Sequence, residues 1–157
     1  QSFSLGKLNT KQRLKDRGIL LENQTACIFC NSQPETLDHI LLSCPKSLSI
    51  WTTIANELDQ HLTFSDTFNL HYEKWMALRW RSKISKKIWL STFFAVAWSI
   101  WLMRNEVIFQ QKDFNFRILC QNIKWRVAFW TKAWKHPTTY SEEKLARNFA
   151  HLPAILH

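Results

Sequence analysis

Apolar residues recur at helical spacing along most of this chain. In residues 46–60 the apolar positions are Leu48, Trp51, Ile54, Ala55 and Leu58. In residues 114–135 they are Phe116, Leu119, Cys120, Ile123, Val127, Trp130 and Trp134. Gaps of mostly three and four place each set on one face of an amphipathic helix. We expect further helices over residues 10–17 and 67–80, and a last helix that starts at Thr139 and stops near Pro153.

Residues 88–103 carry no charge and are apolar nearly all round, which is typical of a central buried helix. These 16 positions fall short of the ~20 that a membrane span needs, so we do not expect a span. The small residues that would let a neighbouring helix approach closely are Ser91, Ala95 and Ser99. Arg104 and Asn105 follow this stretch, and we interpret the pair as a buried hydrogen-bonding hub with a structural role.

This pattern predicts an all-α fold of five or six helices. Two glycines and four prolines in 157 residues leave room for long helices, and nine tryptophans and eleven phenylalanines can bury a large apolar area. We expect a zinc-binding unit with flanking helices over residues 1–62 and a Trp/Phe-rich helical bundle over residues 63–157. The length suits one domain, so we expect the bundle to pack on the unit.

The spacing C-x2-C-x8-H-x4-C places three thiols and one imidazole within 18 residues, at Cys27, Cys30, His39 and Cys44. This set matches a closed tetrahedral zinc shell of the Cys3His type, and the cofactor we expect is Zn²⁺. The alternative is three unligated core cysteines and a surface histidine. A disulfide is a weaker alternative because it would leave an odd thiol in the cluster. The fourth cysteine, Cys120, lies in a core stripe and is interpreted as packing.

The chain direction around this set has to change between His39 and Cys44. An unbroken helix would point Cys44 about 140° away from His39. We therefore expect a short helix that starts at Pro34 and Glu35, carries His39 inward and ends before Cys44. Pro45 then opens the next helix.

We expect no enzyme activity. The four ligand positions are all filled by protein, so no position is open for a reacting water. The sequence contains no paired-carboxylate motif, no glycine-rich phosphate loop and no nucleophile elbow.

The net charge of +9 and the pI near 9.7 favour polyanion partners such as RNA or DNA. The densest positive cluster has five basic residues in nine positions and no acid: Arg79, Arg81, Lys83, Lys86 and Lys87. It is a candidate phosphate-contact patch or nuclear import signal. The alternative is the solvated end of two helices.

A second candidate nucleic-acid surface lies on the predicted helix 114–135. Arg117, Lys124 and Lys135 fall on one side of this helix, beside an aromatic set that includes Trp125. Aromatic rings next to cations suit base stacking with phosphate neutralisation. The alternative is that this second apolar face packs in the core.

A family resemblance rests on two stretches of the chain. The first comprises Gly6 to Thr10, Arg13-Leu14, Arg17-Gly18, Cys27 to Cys30, Glu35-Thr36, His39-Ile40, Cys44-Pro45 and Trp51. It resembles the zinc-binding domain that follows the reverse transcriptase of plant LINE-type retrotransposons. The second, Ile100 to Phe109, is similar to the W-x-x-R-N-x-x-x-F segment that often follows that domain. The resemblance implies zinc binding and a role in handling element RNA or target DNA. The Y-x-D-D polymerase motif does not occur, so it does not extend to polymerisation.

Two function hypotheses result. The first is a zinc-stabilised, non-catalytic nucleic-acid-binding domain derived from a plant LINE reverse transcriptase. The second is a stand-alone protein that acts through a protein partner or by homo-oligomerisation. Because three of the four cysteines follow a metal pattern and no secretory signal opens the sequence, we expect an intracellular location, nuclear or cytoplasmic.

Overall fold

A computed structural model describes residues 8–63, 65–134 and 139–156. Its α-helices are α1 Lys11–Asp16, α2 Pro45–Glu57, α3 Phe68–Ala77, α4 Lys83–Phe109, α5 Phe116–Thr131, α6 Glu142–Arg147 and α7 Leu152–Ile155. Across the described ranges there is no β-strand, only an isolated bridge between Ala26 and Pro34. The predicted all-α class is therefore confirmed.

Side-chain caps decide where most of these helices begin. The hydroxyls of Thr10, Thr67 and Ser82 each accept a hydrogen bond from the backbone N–H three residues later. Asn115 caps α5 in the same way, and Ser141 caps α6. The predicted start of the last helix at Thr139 is thus wrong by two residues, because Ser141 is itself a good capping residue.

Three other predicted bounds also differ from the structure. The predicted helix 67–80 stops at Ala77, after which Leu78 turns to an extended backbone. The buried helix predicted over 88–103 is 27 residues long and continues in both directions as α4. The last predicted helix ends at Arg147, and a 3-10 turn at Phe149–His151 separates it from α7.

Helix α4 forms the centre of the fold. Twelve of its residues are buried, which confirms the prediction of a central buried helix. Helix α5 runs antiparallel to it, since Arg126 of α5 bonds to Ser99 of α4 and Trp134 lies near Lys87. Ala95 and Ser99 are buried, as expected of small residues at a close helix crossing. In the described part of the chain, no helix is long and apolar enough to span a membrane.

An aromatic cluster joins α2, α3 and α4. The rings of Trp75 and Trp89 stack at 3.6 Å and 5°. Each indole N–H donates to the other residue's backbone carbonyl, at 2.8 and 2.9 Å. Trp51 and Phe93 pack beside this pair, with ring centroids 5.1 Å apart. Because both polar indole groups are satisfied inside the core, the tryptophans contribute their full apolar area without an unpaired donor.

His71 lies within this cluster and is 3% exposed. Its ring meets the ring of Trp51 edge-on at 4.4 Å. Within the described residues its Nε2 atom has no hydrogen-bond partner. Burial, with a smaller contribution from the nearby charge of Lys74, lowers the pKa of His71 from 6.5 to about 4.

Replacing His71 with Phe should make the protein less sensitive to acid. The unfolded chain binds a proton near pH 6.5 and the folded chain only near pH 4, so His71 destabilises the fold progressively as the pH falls through this window. A shift of this size corresponds to about 3 kcal/mol. Urea denaturation of both proteins from pH 7 to pH 4 measures the difference in how their free energies of unfolding depend on pH. The same pH dependence in both proteins would contradict the prediction.

Candidate metal centre

The four predicted ligands come together in the structure. One ligand atom from each of Cys27, Cys30, His39 and Cys44 lies within 4.8 Å of the other three. The Sγ atoms of Cys27 and Cys44 are 3.9 Å apart, and Sγ of Cys30 is 3.2 Å from Nε2 of His39. Tetrahedral zinc with its usual bond lengths would separate its ligand atoms by about 3.5–3.8 Å. The donor set and its spacing therefore fit a zinc ion, and the four cysteines of the chain are free thiols.

A tight turn aims the first two cysteines at one point. The N–H of Asn31 donates to the carbonyl of Cys27 at 2.8 Å, and Asn31 takes a positive φ of 53°. Asparagine tolerates this left-handed conformation better than most residues. Two backbone bonds close the base of the loop, from Cys27 to Gln33 and from Glu35 to Thr25, both 2.8 Å. The loop is thus preorganised without a strand.

A wide helical turn sets the position of His39 relative to Cys44. The hydroxyl of Thr36 caps the short helical segment by accepting from the N–H of His39 at 3.1 Å. Residues His39–Ser43 then form a π-helical turn, in which the N–H of Cys44 donates to the carbonyl of His39 at 2.8 Å. The wider turn and the break at Cys44 reduce the 140° offset that an unbroken α-helix would give. The predicted break before Cys44 is confirmed, whereas the predicted start at Pro34 is wrong.

Cys44 precedes α2, and Pro45 is the first residue of that helix, as predicted. The backbone N–H groups of Lys46 and Ser47 donate to the Cys44 sulfur. On the other side of the site, the N–H groups of Phe29 and Cys30 donate to the Cys27 sulfur. Both sulfurs are therefore surrounded by donors that stabilise thiolates, and the helix dipole of α2 adds to this at Cys44.

The two buried sulfurs also act on each other. The hydrogen bond from Cys27 to Cys44 lowers the pKa of Cys44 and raises the pKa of Cys27, which burial raises further. A bound divalent cation would take the place of this hydrogen bond, because both sulfurs ligate a metal as thiolates.

A buried ion pair holds the ligand loop against α4. Glu35 lies between Cys30 and His39 and is 0% exposed, and Arg104 of α4 is 4% exposed. The guanidinium donates from Nη2 to Oε1 at 2.6 Å and from Nε to Oε2 at 3.3 Å. Arg104 also donates to Asn105 Oδ1, and its guanidinium lies over the ring of Trp101 at 4.6 Å. The predicted buried hydrogen-bonding hub is confirmed for Arg104, whereas Asn105 is only half-buried.

Further contacts join the ligand loop to the rest of the fold. Asp38, next to the ligand His39, accepts from the first N–H of α3 at 2.8 Å. The indole N–H of Trp51 donates to the carbonyl of Leu41 at 2.6 Å. The N–H of Lys11, the first residue of α1, donates to Oε1 of Glu35 at 2.9 Å. The ligand loop is therefore bonded to α1, α3 and α4, as well as to α2, which Cys44 precedes.

Residues 3–51 match the family described as zinc-binding in reverse transcriptase. All four ligands lie within this stretch, and it ends inside α2. The resemblance to a reverse-transcriptase zinc-binding domain is confirmed for these residues. Searches of curated proteins and of solved structures found no match.

The predicted phosphate-contact patch lies at the turn between α3 and α4 and in the first two turns of α4. Its five cations are all exposed: Arg79, Arg81, Lys83, Lys86 and Lys87. None of them is in an ion pair with a residue that the structure describes. Lys87 also lies over the ring of Trp134 at 5.1 Å. The patch therefore adjoins the end of α5, which sequence spacing alone did not predict.

The predicted surface on α5 is brought together only in part. Trp125 is 45% exposed and shares a face with Ile118 and Phe129, so this face is not core. Arg117 is exposed, but Lys124 bonds to Glu57 of α2 at 2.5 Å and is already neutralised. Lys135 lies outside the described residues. The prediction that Lys124 is a free cation beside Trp125 is therefore wrong, because its charge is paired with Glu57.

The stripe predicted for the opposite face of this helix is largely buried. Leu119, Cys120, Ile123 and Val127 are core residues, and Cys120 is not part of the metal cluster. Phe116 is 40% exposed because it is the first residue of α5 and lies at the edge of the helix contact.

Sequence reasoning missed two features of chemical interest. Glu35 was predicted as a helix start, although its carboxylate is a buried partner for Arg104. Arg126 and Glu142 line a cleft between α5 and the start of α6. Arg126 stands next to Trp125 in the sequence, but the residues that it meets, Ser99 and Glu142, come from α4 and α6.

Proposed function

We propose that this chain is a zinc-stabilised, non-catalytic nucleic-acid-binding module derived from the reverse transcriptase of a plant LINE element. The zinc assignment is supported by three thiols and one imidazole at tetrahedral spacing in a family described as zinc-binding. Because protein atoms supply all four ligands, the ion has no open position for a substrate. Its role is to hold the fold.

The LINE origin is supported by a contact between the two stretches that carry the resemblance. Glu35 belongs to the zinc-binding stretch, and Arg104 belongs to the W-x-x-R-N-x-x-x-F segment, 69 residues later. Their buried ion pair makes these two stretches one structural unit. If the fold needs both stretches in contact, the occurrence of the second motif after the first is explained.

The five exposed cations of the phosphate-contact patch are the observation that carries nucleic-acid binding. Three of them lie in the first two turns of α4, where the helix dipole disfavours positive charge, and no acid occupies the first turn. The fold therefore leaves these charges unpartnered at some cost in helix stability. A row of phosphates would complement both the side chains and the helix end.

Replacing Arg79, Arg81, Lys86 and Lys87 with Ala should weaken binding to every RNA and DNA sequence. Each lost phosphate contact should flatten the dependence of log K on log salt by about 0.7 for single strands. Fluorescence anisotropy with labelled oligonucleotides at two salt concentrations measures both effects.

A matched control removes four positive charges elsewhere, at Lys15, Arg17, Lys112 and Arg147. Three of these are in surface ion pairs, which contribute little stability. If the control loses as much affinity and slope as the patch variant, the binding is diffuse and the patch is not the site. Undetectable binding at low salt by folded, zinc-loaded protein would overturn the proposal.

A protein-interaction role has one specific observation in its favour. An apolar groove of about 590 Å³ lies between the α1 region and the end of α4, with Trp101 and Ile108 among its walls. Phe109 also lines it and is 75% exposed, and Leu21, which follows the lining residue Leu20, is 68% exposed. Self-association that does not change with salt, measured by analytical ultracentrifugation, would favour this second function.

A further inference from the structure

A cleft opens where α5 meets the start of α6. It has a volume of about 490 Å³, within the range of small-ligand sites. Its lining residues are Asn122, Trp125, Arg126, Phe129, Trp130 and Glu142. Three aromatic rings and three polar side chains thus face one space, which we call the α5–α6 cleft.

The aromatic rings favour a flat ligand. Phe129 is 64% exposed and Trp125 is 45% exposed, whereas eight other aromatic side chains of the described residues are buried in the core. Because both rings remain in water, their apolar area contributes no hydrophobic stabilisation to the fold. A planar ring stacked on them would recover it, and nucleobases stack on aromatic side chains in this way.

Arg126 supplies donors for the edge of such a ring. Its Nε donates to Ser99 Oγ at 3.2 Å, which fixes the guanidinium from behind. No carboxylate of the described residues pairs with it, and its Nη nitrogens have no hydrogen-bond partner there. Partial burial lowers its pKa, as expected for a cation without a counter-charge.

Glu142 supplies the complementary acceptors. It is the first residue of α6, is half-buried, and has no ion-pair partner in the part of the chain that the structure describes. A carboxylate accepts two parallel hydrogen bonds from a base that presents two adjacent donors. Guanine does so with N1–H and N2–H, and its O6 and N7 atoms are the preferred acceptors for Arg. Adenine and cytosine present an acceptor where guanine presents N1–H.

We propose that the α5–α6 cleft binds an unpaired guanine base of single-stranded nucleic acid, stacked on Trp125 and Phe129 and read by Glu142 and Arg126. The inference rests on the proposed nucleic-acid function and adds a base preference to it. The ring must be unpaired, because both its face and its Watson–Crick edge are used.

The test compares labelled U12 oligonucleotides that carry one central guanine, adenine or inosine, against unsubstituted U12, by anisotropy with zinc-loaded full chain. We expect the guanine oligonucleotide to bind about tenfold tighter than the adenine one. Inosine lacks the N2 amino group and should lose much of that preference. This oligonucleotide probes the hydrogen bond to Glu142 without any change in the protein.

Glu142→Gln should abolish the guanine preference, measured as the ratio of the affinities for the guanine and the adenine oligonucleotide. The matched control is Glu143→Gln, since Glu143 is adjacent, 55% exposed at its side chain, and paired with Arg147 instead of lining the cleft. Trp125→Ala should weaken binding of every oligonucleotide by about tenfold without changing the salt slope.

The two proposals fail in different ways. Salt-dependent binding of U12 with no guanine preference, or a preference that Glu142→Gln does not alter, overturns the guanine site and leaves the nucleic-acid function in place. Absence of binding to all four oligonucleotides overturns both.

Discussion

Removing the metal should unfold the N-terminal part of this protein, at least residues 24–60. Structural zinc contributes roughly 10–16 kcal/mol of apparent binding free energy in small zinc modules, and this energy is folding energy. Without a cation, the buried sulfurs of Cys27 and Cys44 would be joined by a hydrogen bond instead of by metal ligation. Titration with a chelator, followed by circular dichroism and elemental analysis, should show loss of one zinc per chain together with loss of helix.

Cys44→Ser should lose the metal, and Cys120→Ser is the matched control. Both cysteines are buried, but only Cys44 belongs to the ligand cluster. Cys120→Ser should therefore keep one zinc per chain with at most a modest loss in melting temperature. Full metal content in Cys44→Ser, or no zinc in wild-type protein purified without a chelator, would refute the assignment.

Breaking the ion pair between Glu35 and Arg104 should be the most destabilising change outside the ligands. Arg104→Met leaves the Glu35 carboxylate in a site that is 0% exposed, where the backbone N–H of Lys11 is its one remaining hydrogen-bond donor among the described residues. Removing one member of a buried pair costs about 3–5 kcal/mol. Because Glu35 lies between Cys30 and His39, the same variant should also bind zinc more weakly. Urea denaturation and competition with a zinc-binding dye measure the two effects.

A double variant separates the ion pair from general damage to the core. Glu35→Leu combined with Arg104→Met removes both charges, so no unpaired carboxylate remains. The combined loss should be well below the sum of the two single losses. Strictly additive losses would show that the two residues act independently.

The ligand set could be predicted from sequence because its chemistry is local. Three cysteines and a histidine within 18 residues indicate a metal by type and spacing alone. The backbone geometry between His39 and Cys44 could not be predicted. A π-helical turn differs from an α-helix by one residue in its hydrogen-bond spacing, and no residue type in this stretch marks the difference. The break itself was predictable from Pro45.

The contacts that lie far apart in sequence could not be predicted in this way. Glu35 and Arg104 are separated by 69 residues, and Lys124 and Glu57 by 67. Arg104 was expected to be a buried hub without a named partner, and Lys124 was expected to be a free cation beside Trp125. Only the packing of α2, α4 and α5 decides which charges meet, and helical periodicity carries no information about it.

The ring contacts of Trp51 have a consequence for how this unit can evolve. Trp51 is the last residue of the stretch that matches the zinc-binding family, yet its aromatic neighbours are Phe68, His71, Trp75 and Phe93. A fragment cut at residue 62 would lose all four and Arg104 with them. The zinc unit therefore cannot move by recombination on its own. Without residues 68–104, Trp51 would be exposed and the Glu35 carboxylate would lose its buried partner.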